Sequence, residues 1–200
     1  LRVDDLVAAI ADANAAILEV TAQRSETVGM GTTVSGVYLG EFGGSPHWFV
    51  FNVGDSRVYR CTGDLLVQVT VDHSEVEELL GAGRITAEQA RVYPRRNVIT
   101  RSLGTNPAPV PDIWVLPAVS AETFVICSDG LPLEVDDADI RATAAADLPA
   151  QEIADRLCRM AVDAGGRDNV SVVVVRLCTA ATGESADVAT APRPKVEGGA

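Results

Sequence analysis

The most restrictive feature of this 200-residue chain is the run VSVVVVRL at 170–177. Consecutive valines in an extended segment point alternately to opposite faces, so apolar surface must cover both faces. The run falls well short of the roughly 20 apolar residues that cross a bilayer. It therefore reads as a central strand of a sheet packed on both sides. A second apolar strand, TFVICS at 123–128, precedes it.

The other segments supply the rest of such a sheet and its cover. Leu6, Ile10, Ala13, Ile17 and Val20 recur at helical spacing and predict an amphipathic helix over 3–24. After Gly29-Met30-Gly31 the period changes, and 32–39, 47–53, 57–61 and 65–70 are short runs rich in Val, Tyr, Phe and Thr. Gly-rich breaks separate them at hairpin intervals. Residues 74–93 return to helical character, divided into two short helices by Gly81 and Gly83. Ser74 is the expected N-cap, with Glu77 at the N3 position of a capping box. Pro107, Pro109, Pro111 and Pro117 mark an extended crossing, and helices are predicted over 137–146 and 150–163. The pattern predicts one α+β domain over 1–178 with mostly antiparallel strands. From Thr179 the residues are small, polar and proline-containing, which predicts a disordered tail or linker over 179–200.

Sixteen basic residues against twenty-eight acidic ones leave a net charge of −12. That balance argues against nucleic acid or an anionic membrane surface as a partner. The N-terminus lacks the basic-then-apolar build of a secretion signal, and Leu1 in place of Met reads as the start of a piece of a longer chain. Cys61, Cys127, Cys158 and Cys178 form no CxxC pair, so a reduced, cytoplasmic protein with no membrane span is expected.

Two aspartates stand where strands end and begin. Asp129 follows the strand in ICSDG, and Asp168 precedes the strand in GGRDN. If the two strands are antiparallel neighbours, both carboxylates meet on one rim and can hold a hard cation such as Mg²⁺ or Mn²⁺. Singly, each is as readily a turn residue. Asp55 in VGDSR reads as a hairpin turn, and Asp72 in VDHS as the approach to a helix. Arg84, Arg91, Arg95, Arg96 and Arg101 concentrate positive charge in an acidic chain. Guanidinium forks suit phosphate, although nearby glutamates could pair with them instead.

Taken in order, GMGTT (29–33), FNVGDSRVYR (51–60), the stretch 69–104, VICSDG (125–130) and AGGRDNVSVVVVRL (164–177) resemble the type 2C, or PPM, family of metal-dependent protein phosphatases in its bacterial branch. The likeness runs from about residue 3 to 177. It implies a sandwich of two antiparallel β-sheets flanked by helices, with the N-terminal strands missing from this chain. It implies hydrolysis of phosphoserine and phosphothreonine in proteins through metal-activated water, with two or three Mn²⁺ or Mg²⁺ ions in the complete site. Phosphorylated proteins and a cognate serine/threonine kinase are the implied partners.

Carried across residue by residue, Asp129 and Asp168 match metal-ligand aspartates, and Asp72 matches the aspartate of an additional metal site. Residues 74–104 match a flap beside the active site, with Arg95, Arg96 and Arg101 as candidate substrate-binding residues. Asp55 and Asn169 are expected as structural support. The family's phosphate-gripping Arg, first metal-binding Asp and DGxGG turn do not precede the helix at residue 3, so this chain is expected to be weakly active by itself. The run after SDG reads LPLEV where LTDEV is usual, and Pro132 is expected to stiffen or displace that turn. Both departures leave a second reading open, a catalytically impaired regulatory binding module on the same fold.

Overall fold

The computed structural model describes residues 2–27 and 29–177. The segment expected as a tail, 179–200, and Cys178 lie outside the described residues. Helix α1 (Val3–Gln23) opens the chain, followed by strands β1 (Val34–Phe42), β2 (Ser45–Val53), β3 (Arg57–Thr62) and β4 (Leu65–Gln68). Two short helices, α2 (Glu75–Gly81) and α3 (Ala87–Arg91), come next. Then follow β5 (Asp112–Pro117), β6 (Glu122–Cys127), α4 (Gly130–Glu134), α5 (Asp137–Ala144), α6 (Ala150–Ala164) and β7 (Val172–Arg176).

The strands form two sheets, ordered β1-β2-β5 and β4-β3-β6-β7, and every pairing is antiparallel. Alternation along each strand decides which side chains face which layer. Trp48 and Val50 of β2, Val58 of β3 and Phe124 of β6 fill the space between the sheets, joined by Trp114, Leu116 and Val175. The opposite face of the first sheet, through Val53, Phe51 and Ile113, meets Leu6, Ile10 and Ile17 of α1. The opposite face of the second, through Tyr59, Cys61, Val125 and Cys127, meets Leu131, Ile140, Ile153 and Leu157 of α4–α6. The order of layers is thus helix, sheet, sheet, helices, the α+β sandwich that the resemblance implies.

Three differences from the sequence reading have physical causes. Strand β7 is not central but lies at the edge of its sheet, with Val173 exposed. Val172 and Val174 pack toward the helices and Val175 toward the facing sheet, and the valine run by itself says nothing about both edges being paired. Strand β5 was hidden by the surrounding prolines. Pro117 closes it on a sheet edge, where a missing N–H costs no ladder bond. The LPLEV run neither bends away nor disrupts the turn, because it continues as α4. Pro132 sits in the first turn of that helix, where the N–H has no intrahelical acceptor anyway.

One buried polar side chain ties α1 to the C-terminal end of the 74–104 segment. Asn14 is 2% exposed. Its Nδ2 donates to Thr105 O at 3.0 Å, and its Oδ1 accepts the Gly104 and Thr105 amides at 2.7 and 3.1 Å. Asn14→Ala strands those groups in the interior and is expected to cost about 2–3 kcal/mol in chemical denaturation. Asn14→Asp, which keeps the acceptor, is expected to cost less.

Candidate functional site

The antiparallel pairing of β6 with β7 sets Cys127 opposite Val172. The chain leaving β6 and the chain entering β7 therefore lie side by side at one end of the sandwich. Ser128 fastens them: its amide donates to Ser171 O at 3.1 Å, its Oγ donates to Asn169 O at 3.1 Å, and the Ser171 amide donates back to Ser128 Oγ at 3.0 Å. Gly130 permits the approach, since a Cβ there would stand 2.4 Å from Asn169 O. Asp129 and Asp168 consequently face one cleft, as the strand argument anticipates.

The cleft has a volume of about 520 Å³, and Asp55, Asp72, Asp129 and Asp168 are among the residues that line it. Residues of the 74–97 segment, among them Ser74, Glu77, Arg91, Arg96 and Asn97, line it as well. Burial, and then the charge of Asp168, holds the Asp129 carboxyl above the usual aspartate range. Burial, and then the charge of Asp129, does the same to Asp55. Partial burial and neighbouring carboxylates thus outweigh the charge of Arg57 at both acids.

Asp72 lines the same cleft and carries an arginine fork there. Arg57 Nε reaches its two oxygens at 3.1 and 3.0 Å, Arg57 Nη2 reaches Oδ2 at 2.7 Å, and Gln68 Nε2 donates to Oδ1 at 3.1 Å. Burial works against the Arg57 charge, but the bonds to Asp72 outweigh it and hold the guanidinium protonated. Asp55, read from the sequence as a turn residue, also lines the cleft, where burial and the charges of Asp129 and Asp72 outweigh the opposing charge of Arg57. Its place in VGDSR is the turn between β2 and β3.

The three flap arginines do not act as a group. Arg95 pairs with Glu75 at 2.8 Å. Arg101 pairs with Asp112 at 2.6 Å and also reaches Val110 O. Arg96 lines the cleft together with Arg91, a member of the same arginine cluster in the sequence, and its Nη1 donates to Arg91 O at 3.3 Å. Arg167, also unforeseen, lines the cleft but is held by Glu134 at 2.7 Å. Of the flap ends, Ser74 caps α2 by accepting the Glu77 amide at 3.3 Å, while the reciprocal box forms instead at Thr86 and Gln89 of α3.

The donors suit a hard cation in kind, since they are carboxylates with oxygen ligands. Cys127, close in sequence to Asp129, offers no thiolate, because burial pushes its thiol up to about 12. Among the described residues, no three His, Cys, Asp or Glu side chains converge tightly enough to cage an ion unaided. A pair of carboxylates completed by water is the ordinary way for Mg²⁺ to be held, so the residues fit a shared, partly solvated cation.

No protein-family model matches the chain. It is similar to the serine/threonine phosphatase stp of Listeria innocua, 34% identical over 166 residues, which is 83% of this chain and 64% of that protein. The chain thus spans less than two thirds of that curated relative. Among solved structures, it is similar to the PPM Ser-Thr phosphatase MsPP of Mycobacterium smegmatis in complex with cacodylate, with TM-score 0.77, 36% identity, and 88% and 74% of the two chains covered. It is also similar to the catalytic domain of the phosphatase PstP in complex with two manganese ions, with TM-score 0.70, 33% identity, and 84% and 68% covered.

Proposed function

Because the chain belongs to the bacterial branch of the PPM family of serine/threonine protein phosphatases, we propose that it carries part of a metal-dependent site that hydrolyses phosphoserine and phosphothreonine in proteins. The observation that carries this reading is the meeting of Asp129, Asp168 and Asp55 in one cleft, with the first and last held above the usual aspartate range. In this proposal Asp129 and Asp168 hold a Mn²⁺ or Mg²⁺ ion, Asp72 beside its Arg57 fork serves an additional ion, and Asp55 adds a further carboxylate on the same cleft. Divalent cations at such a site supply an acidified water and neutralise the charge of a phosphoryl group.

The chain's own residues do the rest. Uncompensated, the acidic floor repels a phosphate dianion, which makes substrate entry depend on cation loading. Arg57 neutralises Asp72 and removes one of the cleft's negative charges. Arg96 and Arg91 line the same cleft, and guanidinium groups there can meet phosphate oxygens or an acidic residue beside them. Phosphorylated proteins are the proposed substrates, and a serine/threonine kinase acting on the same proteins is the proposed counterpart. No helix among the described residues is long and apolar enough to cross a membrane, and a cytoplasmic setting is proposed from the unpaired cysteine pattern. The LPLEV run no longer supports a purely regulatory module, since α4 leaves Asp129 at the rim.

The test is release of inorganic phosphate from a phosphothreonine peptide by this chain. Slow turnover that requires Mn²⁺ and stops on adding chelator is expected. Turnover indifferent to chelator would overturn the reading.

A further inference from the structure

The VDHS motif contains a buried residue with no part in the site so far described. His73 is 6% exposed, and all four of its polar groups are engaged. Its backbone N–H donates to Gly54 O at 2.9 Å, and its carbonyl accepts the Thr100 amide at 2.8 Å. Its ring Nδ1 lies 3.0 Å from Gly54 N. A backbone amide only donates, so Nδ1 is the bare nitrogen and the ring hydrogen sits on Nε2. That hydrogen is donated to Asp112 Oδ2 at 3.1 Å, while Asp112 Oδ1 accepts from Arg101 at 2.6 Å.

One imidazole thereby joins the turn that carries Asp55, the exit of the flap at Thr100–Arg101, and the first residue of β5. The turn has little freedom of its own. Gly54 sits at φ +118, and a Cβ there would stand 2.2 Å from Thr33 Cγ2. We propose that His73 is a positioning residue whose bare Nδ1 fixes the Gly54 amide, and with it the aim of the adjacent Asp55 carboxylate into the cleft, while its Nε2 arm to Asp112 anchors the flap exit. This rests on the reading that Asp55 helps to hold a divalent cation. Groups that orient a ligand commonly change metal affinity by about 10–100-fold when removed.

Side-chain amides separate the two arms, because the oxygen of Asn can stand in for Nδ1 and the amide nitrogen of Gln for Nε2. The full chain and its His73→Asn and His73→Gln variants are compared by Mn²⁺ binding, read from the paramagnetic signal of free Mn²⁺, and by hydrogen exchange of the Gly54 amide. His73→Asn is expected to keep Gly54 protected and Mn²⁺ affinity within about threefold of the parent. His73→Gln is expected to speed Gly54 exchange and to weaken Mn²⁺ binding by about tenfold or more. Asp112→Asn, which leaves the Nδ1 arm intact, is expected to speed exchange at Thr100 while sparing Gly54 and Mn²⁺ affinity. If His73→Gln does not fold, Asp112→Asn still tests the separation of the two arms, since faster Gly54 exchange or weaker Mn²⁺ binding in that variant overturns the proposal. A merely structural histidine predicts that both His73 variants lose stability together and that Mn²⁺ affinity follows neither arm, and that result overturns the proposal. If the parent chain fails to bind Mn²⁺, the metal reading falls, and Gly54 exchange alone still decides whether the Nδ1 arm fixes the turn.

Discussion

Glu122→Ala is expected to be the most destabilising single substitution in the sandwich, at about 3–5 kcal/mol. Glu122 is 1% exposed at the start of β6, in the space between the sheets. Its Oε2 accepts from Arg60 Nε at 2.7 Å and Nη2 at 2.6 Å, and its Oε1 accepts from Trp48 Nε1 and from the Val119 amide at 2.8 Å. Trp48 belongs to one sheet and Arg60 to the other, so the carboxylate links the two layers through their interior. Removing it leaves a guanidinium largely cut off from water without its counter-charge, and two further donors without an acceptor. For a domain of this size the thermal midpoint should fall by roughly 10 °C. Arg60→Met combined with Glu122→Leu should recover part of the loss, because neither charge is then buried. Full recovery is not expected, since the Trp48 and Val119 donors stay unpaired at about 1 kcal/mol or more each. A midpoint within about 2 °C of the parent for Glu122→Ala would mean the pair contributes nothing net, as solvent-screened pairs often do.

Nothing in the sequence marks Glu122 as interior. A lone glutamate at the head of TFVICS reads as the turn before a strand, and only the register that places β6 beside β3 brings Arg60 near it. The same limit applies across the site. Asp129 and Asp168 could be brought together on paper because two apolar runs end and begin at them, and antiparallel pairing turns that order into proximity. Asp55 and Asp72 could not be sorted in this way. Both lie in short polar loops, and what separates them is Arg57, whose alternation on β3 sends its fork to Asp72. The flap arginines share the difficulty, because charge partners such as Glu75 for Arg95 and Asp112 for Arg101 depend on how the flap folds back. Helical and strand periods were legible because they follow from burial of one face. Sheet edges were not, and β5 and β7 carry the two misreadings for that reason.

Asp129→Asn and Asp168→Asn should separate stability from function at the rim. In chelator, Asp129→Asn is expected to raise the thermal midpoint by about 2 °C. Burial and the charge of Asp168 hold the Asp129 carboxyl above the ordinary range in the folded chain. A carboxyl raised on folding favours the folded state at low pH, and that advantage is lost as pH rises from its ordinary value, near 4, through the raised one. At neutral pH the metal-free parent therefore bears a cost that the amide lacks. Mn²⁺ reverses the order. An ion bound only by the folded state adds about 2.7 kcal/mol at a concentration 100 times its dissociation constant, or roughly 5–10 °C here. Each variant removes a carboxylate from that ion and should weaken Mn²⁺ binding by more than about tenfold, given that losing even a group behind a ligand costs that much. The Mn²⁺-induced rise should shrink accordingly, and phosphopeptide turnover should fall by about two orders of magnitude or more. Parallel melting curves with chelator and with Mn²⁺, alongside phosphate release, read all three effects. If Asp129→Asn melted lower than the parent in chelator yet kept its full Mn²⁺ response, the aspartate would be a turn residue and the cation would sit elsewhere.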